Sequence, residues 1–103
     1  MAAVGSCFFV YILANQNNTV LYTGVTNNLP RRIQEHKSGE GGAFTKKYNV
    51  HKLVYFETLH QAVSAIEREK QIKGGSRQRK AELITKSNPN WLDLSDDPSF
   101  ILL

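Results

Sequence analysis

An unbroken apolar run, Phe8-Phe9-Val10-Tyr11-Ile12-Leu13, followed closely by a polar turn and a second apolar stretch, constrains this chain more than any other feature. A run with no polar alternation suits a strand buried on both faces, hence the centre of a sheet. Asn15-Gln16-Asn17-Asn18 has turn chemistry and Val20 to Val25 returns as the partner strand, so the stretch reads as a β-hairpin. Closing the turn with Ala14 opposite Thr19 places Tyr11 directly opposite Tyr22, two phenols on one face. Gly24 ends the second strand, where the backbone needs either positive φ or close approach by another group.

Downstream, Asn28 and Pro30 announce a helix running to about Lys37, with an Asx cap and a proline in the first turn. On it, Leu29, Arg32, Ile33 and His36 share one face of a 3.6-residue period. An arginine on an apolar face needs an anion or an open cleft, since a buried unpaired charge is costly. Ser38 to Gly42 reads as a flexible loop, and Ala43 to Tyr48 as a short helix whose Thr45-Lys46-Lys47-Tyr48 mixes charge with an aromatic, as nucleic-acid surfaces do. Lys52 to Glu57 is a third strand, with Thr58 a candidate cap for a helix from His60 to Lys73. There Ala62, Ala65, Ile66, Glu69 and Ile72 form an inward stripe, so Glu69 must be paired, metal-bound or in a cleft. An ion pair with Arg32 is the structural alternative. Gly74-Gly75 ends this helix, and Ser76 caps another running to about Lys86, whose first turn crowds Arg77, Arg79 and Lys80 where the helix dipole disfavours cations. An external anion would compensate them. Trp91, Leu92 and Leu94 are expected to pack back onto a single domain spanning residues 1–95, with 96–103 a disordered tail.

The 103 residues suit one core, and the net charge of +4 understates the body of the chain. All 13 Lys and Arg lie between Arg31 and Lys86, whereas Asp93, Asp96 and Asp97 sit near the end. That distribution attracts polyanions. One cysteine, Cys7, excludes an intramolecular disulfide and a cysteine-rich zinc site, and no signal-like or membrane-spanning segment is visible, so a cytoplasmic protein is expected.

Taken together, Phe9-Val10-Tyr11, Tyr22-Thr23-Gly24, Leu29-Pro30-Arg31-Arg32 and Glu69-Lys70-Gln71-Ile72-Lys73 resemble, in order and spacing, the signature positions of the GIY-YIG nuclease superfamily. The likeness is greatest to small stand-alone members related to the N-terminal nuclease domain of the excinuclease C subunit. Phe9 replaces the first motif glycine, and Val10 and Thr23 replace the motif isoleucines. The resemblance implies an α/β (α+β) fold, a three-stranded antiparallel sheet flanked by helices, and a metal-dependent endonuclease that hydrolyses DNA phosphodiesters, structure-selective and repair-related. Carried over by position, it makes Tyr11, Tyr22, Arg32, His36 and Glu69 the catalytic set. Glu69 would hold Mg²⁺ or Mn²⁺, Arg32 would bind the scissile phosphate, and Tyr22, in preference to Tyr11, would deprotonate water once nearby cations lower a phenol pKa from its usual ~10. DNA would be held mainly through phosphates by Arg31, Lys46, Lys47, Arg77, Arg79 and Lys80, with Tyr48 and the backbone at Gly24 adding contacts. The competing reading is a non-catalytic module that keeps the fold to bind nucleic acid or dock on a protein.

Overall fold

In a computed structural model, which describes residues 7–103, the expected sheet forms with strand order β2-β1-β3: β1 Phe8–Ala14, β2 Leu21–Thr26 and β3 Lys52–Leu59, all antiparallel. Helix α1 spans Leu29–Lys37, α2 Ala43–Lys47, α3 Ala62–Lys73 and α4 Arg77–Ser87, and two 3₁₀ turns, Leu94–Asp96 and Pro98–Leu102, follow. β1 is central and feeds two separate cores by simple alternation. Phe9, Tyr11 and Leu13 face α1 with Leu29, Ile33, Val50, Leu53 and Phe100, whereas Val10, Ile12 and Ala14 face α3 and α4 with Val54, Tyr55, Ala65, Ile72 and Ile84. A bulge between Ile12 and Leu13 in the β1–β3 pairing inserts one extra β3 residue, so that Val54 and Tyr55 both serve the second core.

The hairpin register differs from the expected one by two residues. Ala14 pairs with Leu21 rather than Thr19, so Tyr11 lies opposite Gly24 and Leu13 opposite Tyr22. The cause is Asn15, whose Oδ1 accepts the N–H groups of Thr19 (2.8 Å) and Val20 (2.9 Å) and enlarges the turn, with Asn18 in the left-handed region at φ 58°. A shift of two preserves the face of every side chain. The two phenols therefore stay on one face but sit diagonally, with ring centroids 6.4 Å apart.

Helix starts follow the anticipated side chains in two cases out of three. Asn28 Oδ1 accepts the Arg31 N–H and Ser76 Oγ accepts the Arg79 N–H, satisfying amides a helix leaves free. Thr58 instead lies inside β3, and α3 begins after Gln61 without a side-chain cap. On α3, Ile66 is 46% exposed, so the buried stripe narrows to Ala65 and Ile72 with Glu69 between. The segment 96–103, expected to be disordered, forms the second 3₁₀ turn and inserts Phe100 into the α1-side core. Asp93 anchors its approach, accepting the Leu53 N–H at 3.2 Å and the Lys37 ammonium at 2.6 Å. Trp91 and Leu94 pack as expected, but Leu92 is exposed.

Candidate active site

The site grows from one consequence of the hairpin register. A Cβ on Gly24 would lie 2.5 Å from the Tyr11 hydroxyl, so the missing side chain is what lets the Tyr11 ring cross the β2 backbone. Gly24 itself is buried beneath that phenol, which corrects its assignment as a nucleic-acid contact. Beyond it, the Tyr11 hydroxyl meets His36 Nε2 at 3.0 Å, and His36 Nδ1 meets Thr45 Oγ1 at 3.1 Å. Thr45 in turn donates to the Gly42 carbonyl at 3.3 Å. That last bond leaves Thr45 Oγ1 to accept from Nδ1–H, so Nε2 must accept from the Tyr11 O–H. The direction of all three bonds is then set.

Both partners are held neutral. Burial, with the Arg32 charge nearby, lowers His36 to about 4, and burial pushes the Tyr11 phenol up to about 12 against the opposing influence of Arg32. At 1% and 2% exposure, Tyr11 and His36 do not reach solvent. Arg32 does lower the Tyr11 phenol as expected, but burial outweighs it; the Tyr11 proton points to His36, and both residues lie beneath Tyr22. Tyr22 is the accessible phenol, packed on His36 with ring centroids 5.6 Å apart.

The Ser38–Gly42 loop does more than connect. Gly41 lies on the His36 ring, where a Cβ would come within 2.3 Å of Nδ1, and its carbonyl accepts Arg32 Nη2 at 3.1 Å. Arg32 Nη1 bonds Glu35 Oε1 at 3.0 Å, so its anion is Glu35, one turn along α1, and not Glu69. With its side chain 34% exposed, Arg32 keeps part of its donor fork open to a ligand.

Glu69 approaches from the other face of the sheet. β2 is an edge strand, and a groove wraps its edge, lined by Leu21, Tyr22 and Thr23, by Phe44 of α2, and by Lys73 and Lys80. Lys73 Nζ stands 3.7 Å from Glu69 Oε2, which links the carboxylate to the groove that Tyr22 enters. Among the described residues, no hydrogen bond or ion pair joins Glu69 directly to Tyr11, Tyr22, Arg32 or His36. Nor do three His, Cys, Asp or Glu side chains gather among them as a metal cage. One carboxylate fits Mg²⁺, which retains waters and shares substrate phosphates, and does not fit a closed structural zinc site.

Three of the six cations expected to grip phosphates have internal partners, Arg31 the loosest of them with Glu35 at 3.9 Å. Arg77 donates to the carbonyls of Asn18 and Thr19 in the hairpin turn, and Lys80 Nζ donates to those of Lys73 (3.1 Å) and Gly75 (3.0 Å) at the end of α3. Neighbouring carbonyls thus compensate Arg77 and Lys80 at the start of α4, while Arg79 has no such side-chain partner among the described residues. Arg31, Lys46, Lys47 and Arg79 are exposed, and Tyr48 is 43% exposed with Lys47 Nζ 5.3 Å from its ring centroid. The sequence marks Thr45 and Lys73 only as members of longer stretches, and singles out neither Phe44 nor Gly41. The i, i+4 spacing of Phe44 and Tyr48 is a signal for Phe44; the others depend on loop packing or on the position of the sheet edge.

No helix among the described residues is long and apolar enough to cross a membrane. A family model described as the GIY-YIG catalytic domain matches residues 7–82. The chain is 46% identical over 82 residues to a UPF0213 protein of Syntrophus aciditrophicus, covering 79% of this chain and 92% of that one. It is 40% identical over 76 residues to one of Natronomonas pharaonis, covering 74% and 88%. The solution NMR structure of a UPF0213 protein from Bacillus halodurans superposes with a TM-score of 0.55 at 27% identity, covering 89% of this chain and 97% of that one. With most of its length matched, and with the same three-stranded antiparallel sheet and helices as that structure, the chain belongs to the GIY-YIG nuclease family.

Proposed function

We propose that the protein is a divalent-metal-dependent endonuclease that hydrolyses DNA phosphodiester bonds in the groove at the β2 edge. The observation that carries this reading is the convergence there of Tyr22 and Lys73, the latter paired to Glu69, beside an Arg32 that retains open donors. Glu69 would hold the cation. Mg²⁺ or Mn²⁺ held there would supply Lewis-acid neutralisation of the charge on the phosphate and on the leaving group. Arg32, oriented by Glu35 and the Gly41 carbonyl, receives the scissile phosphate and the charge that develops on it. Tyr22, having first released its phenolic proton to solvent, would as the phenolate take the proton of the attacking water, and the buried Tyr11–His36–Thr45 chain fixes the wall on which the Tyr22 ring rests. Exposed Arg31, Lys46, Lys47 and Arg79 supply phosphate attraction without reading bases. Selectivity for DNA structure and a role in repair agree with such backbone-based binding.

The test is cleavage of single-stranded, duplex and branched DNA with Mg²⁺, Mn²⁺ or EDTA, alongside Glu69→Gln. Metal-dependent cutting that disappears in the variant, with the thermal midpoint held, is expected. Tight DNA binding with no cleavage by the wild type under any of these conditions would favour the non-catalytic module.

A further inference from the structure

Helix α2 and its C-terminal cap residue carry two aromatic rings that the fold does not bury. Phe44 and Tyr48, one turn apart, are 46% and 43% exposed, with ring centroids 4.9 Å apart. Large aromatics normally contribute most when buried, so an exposed pair beside a mostly apolar groove edged by two lysines invites a ligand with a flat face. The pair is not an isolated patch. Phe44 lies 6.2 Å from Tyr22, which lies 5.6 Å from His36, so the rings run as a series from the core outward to the surface. Nor is α2 loosely placed: Thr45, between the two rings in sequence, is buried and bonded to His36, which turns the opposite side of this short helix to solvent. Lys46 and Lys47 stand beside the rings, and Lys73, with its side chain 64% exposed, lines the groove at the Phe44 end.

We propose that Phe44 and Tyr48 form a stacking step for unpaired nucleobases, leading a single-stranded stretch of DNA into the groove at Tyr22 while Lys46, Lys47 and Lys73 follow its phosphates. The proposal deepens, and rests on, the nuclease reading of this groove by naming the strand chemistry it takes. Duplex bases have their faces covered by their neighbours and offer an exposed ring nothing to stack on; unpaired bases offer a π face whatever their sequence. Alternating aromatic and cationic groups are the chemistry that holds such strands.

Binding can be separated from cutting by working in EDTA. Anisotropy titrations with a fluorescent oligo-dT and with a fully paired hairpin, at one salt concentration, would compare wild type, Phe44→Leu, Tyr48→Leu and Phe44→Trp. The ratio of single-strand to duplex affinity is expected to fall on the order of 5- to 100-fold in the leucine variants and to be retained in Phe44→Trp. Substituting oligo-U for oligo-dT in a further arm should leave the Phe44 dependence in place, because stacking does not involve the sugar. An equal loss on both DNA forms, or no loss in a folded Tyr48→Leu protein, would overturn the proposal and leave the rings as an ordinary helix pair. Cleavage of single-stranded DNA untouched by these substitutions would remove the stacking step while keeping the nuclease. Aromatic-dependent single-strand binding by a protein that cuts nothing would do the reverse.

Discussion

Two tyrosine-centred polar clusters flank the same sheet, and they are built on opposite principles. On the α1 side, Tyr11, His36 and Thr45 form a chain of neutral groups, sealed from water, whose far side supports the accessible Tyr22. On the α3 side, Tyr55 and Arg68 converge on Glu57, with Arg68 Nε and Nη2 reaching the carboxylate at 2.9 and 2.7 Å and Tyr55 donating to it as well. That second cluster is ionic and half-exposed, with Arg68 also bonded to Gln71 at 2.7 Å. Burial raises both phenols to about 12, so a shifted pKa does not distinguish them. What distinguishes them is what remains open. The ionic cluster matches its own charges, although Arg68 also borders a cleft with Gln71, Arg79 and Lys80, whereas the neutral one ends against a ring in a groove and a guanidinium whose carboxylate partner leaves donors to spare. An enzyme site needs the second kind of incompleteness, and a structural clasp needs the first.

Exchanging the tyrosines of the first cluster should produce the largest contrast. Tyr22→Phe is expected to lower single-turnover cleavage by roughly 10²- to 10⁴-fold, as loss of a proton acceptor would. Tyr11→Phe should cost less than about 10-fold in rate, together with about 1 kcal/mol of stability for the lost bond to His36. Equal rate losses would put the Tyr11 hydroxyl in contact with substrate and overturn its positioning role.

The two arginines provide the next contrast. Arg32→Ala should cost on the order of 10²-fold in turnover with a small change in thermal midpoint, because Glu35 is partly solvated and tolerates its loss. Arg68→Ala should do the opposite: it strands Glu57, which the guanidinium holds below the usual carboxylate range, and destabilises the fold by about 1–3 kcal/mol at near-normal turnover. Saturating single-turnover assays and urea unfolding on both variants would show whether catalysis and stability separate this way.

A pH titration of stability tests the neutrality of the first cluster. His36 binds its proton near pH 6.5 when unfolded but only near pH 4 when folded, so the unfolded state carries the extra proton between those values. Its contribution is therefore complete above about pH 6.5 and lost as the pH falls toward 4, by on the order of 3 kcal/mol in full. Urea unfolding at pH 7 and pH 4.5, wild type against His36→Asn, should show the steeper loss in the wild type. A pH dependence identical in the two proteins would mean that folding does not shift the protonation of His36.

The smallest expected effect is at the end of the chain of bonds. Thr45→Val keeps the shape but leaves Nδ1–H of His36 without its acceptor, at a cost of about 1–2 kcal/mol. An unchanged thermal midpoint would overturn the stabilising role of this bond, and the nitrogen chemical shifts of the His36 ring would reverse the assigned directions if they placed the proton on Nε2.

Much of this arrangement was written in the sequence, because period and local chemistry are properties of neighbours along the chain. The apolar run of β1 declared a central strand. The 3.6-residue spacing put Arg32 and His36 with Leu29 and Ile33, and Asn28 and Ser76 marked their helices. Even with the wrong hairpin register, Tyr11 and Tyr22 kept their common face, since a slip of two leaves a strand's alternation intact. The tertiary structure decided the partners. Which phenol is sealed depends on Gly24 passing beneath Tyr11; which carboxylate holds Arg32 depends on a turn of helix; and Gly41 matters only because its loop folds back over His36. Glu69 lies on the far face from the tyrosines, and only the exposed edge of β2 gives it a way round to their groove. Burial and pairing are set by residues distant in sequence and close in space, so periodicity can mark an inward polar residue without saying what it will meet.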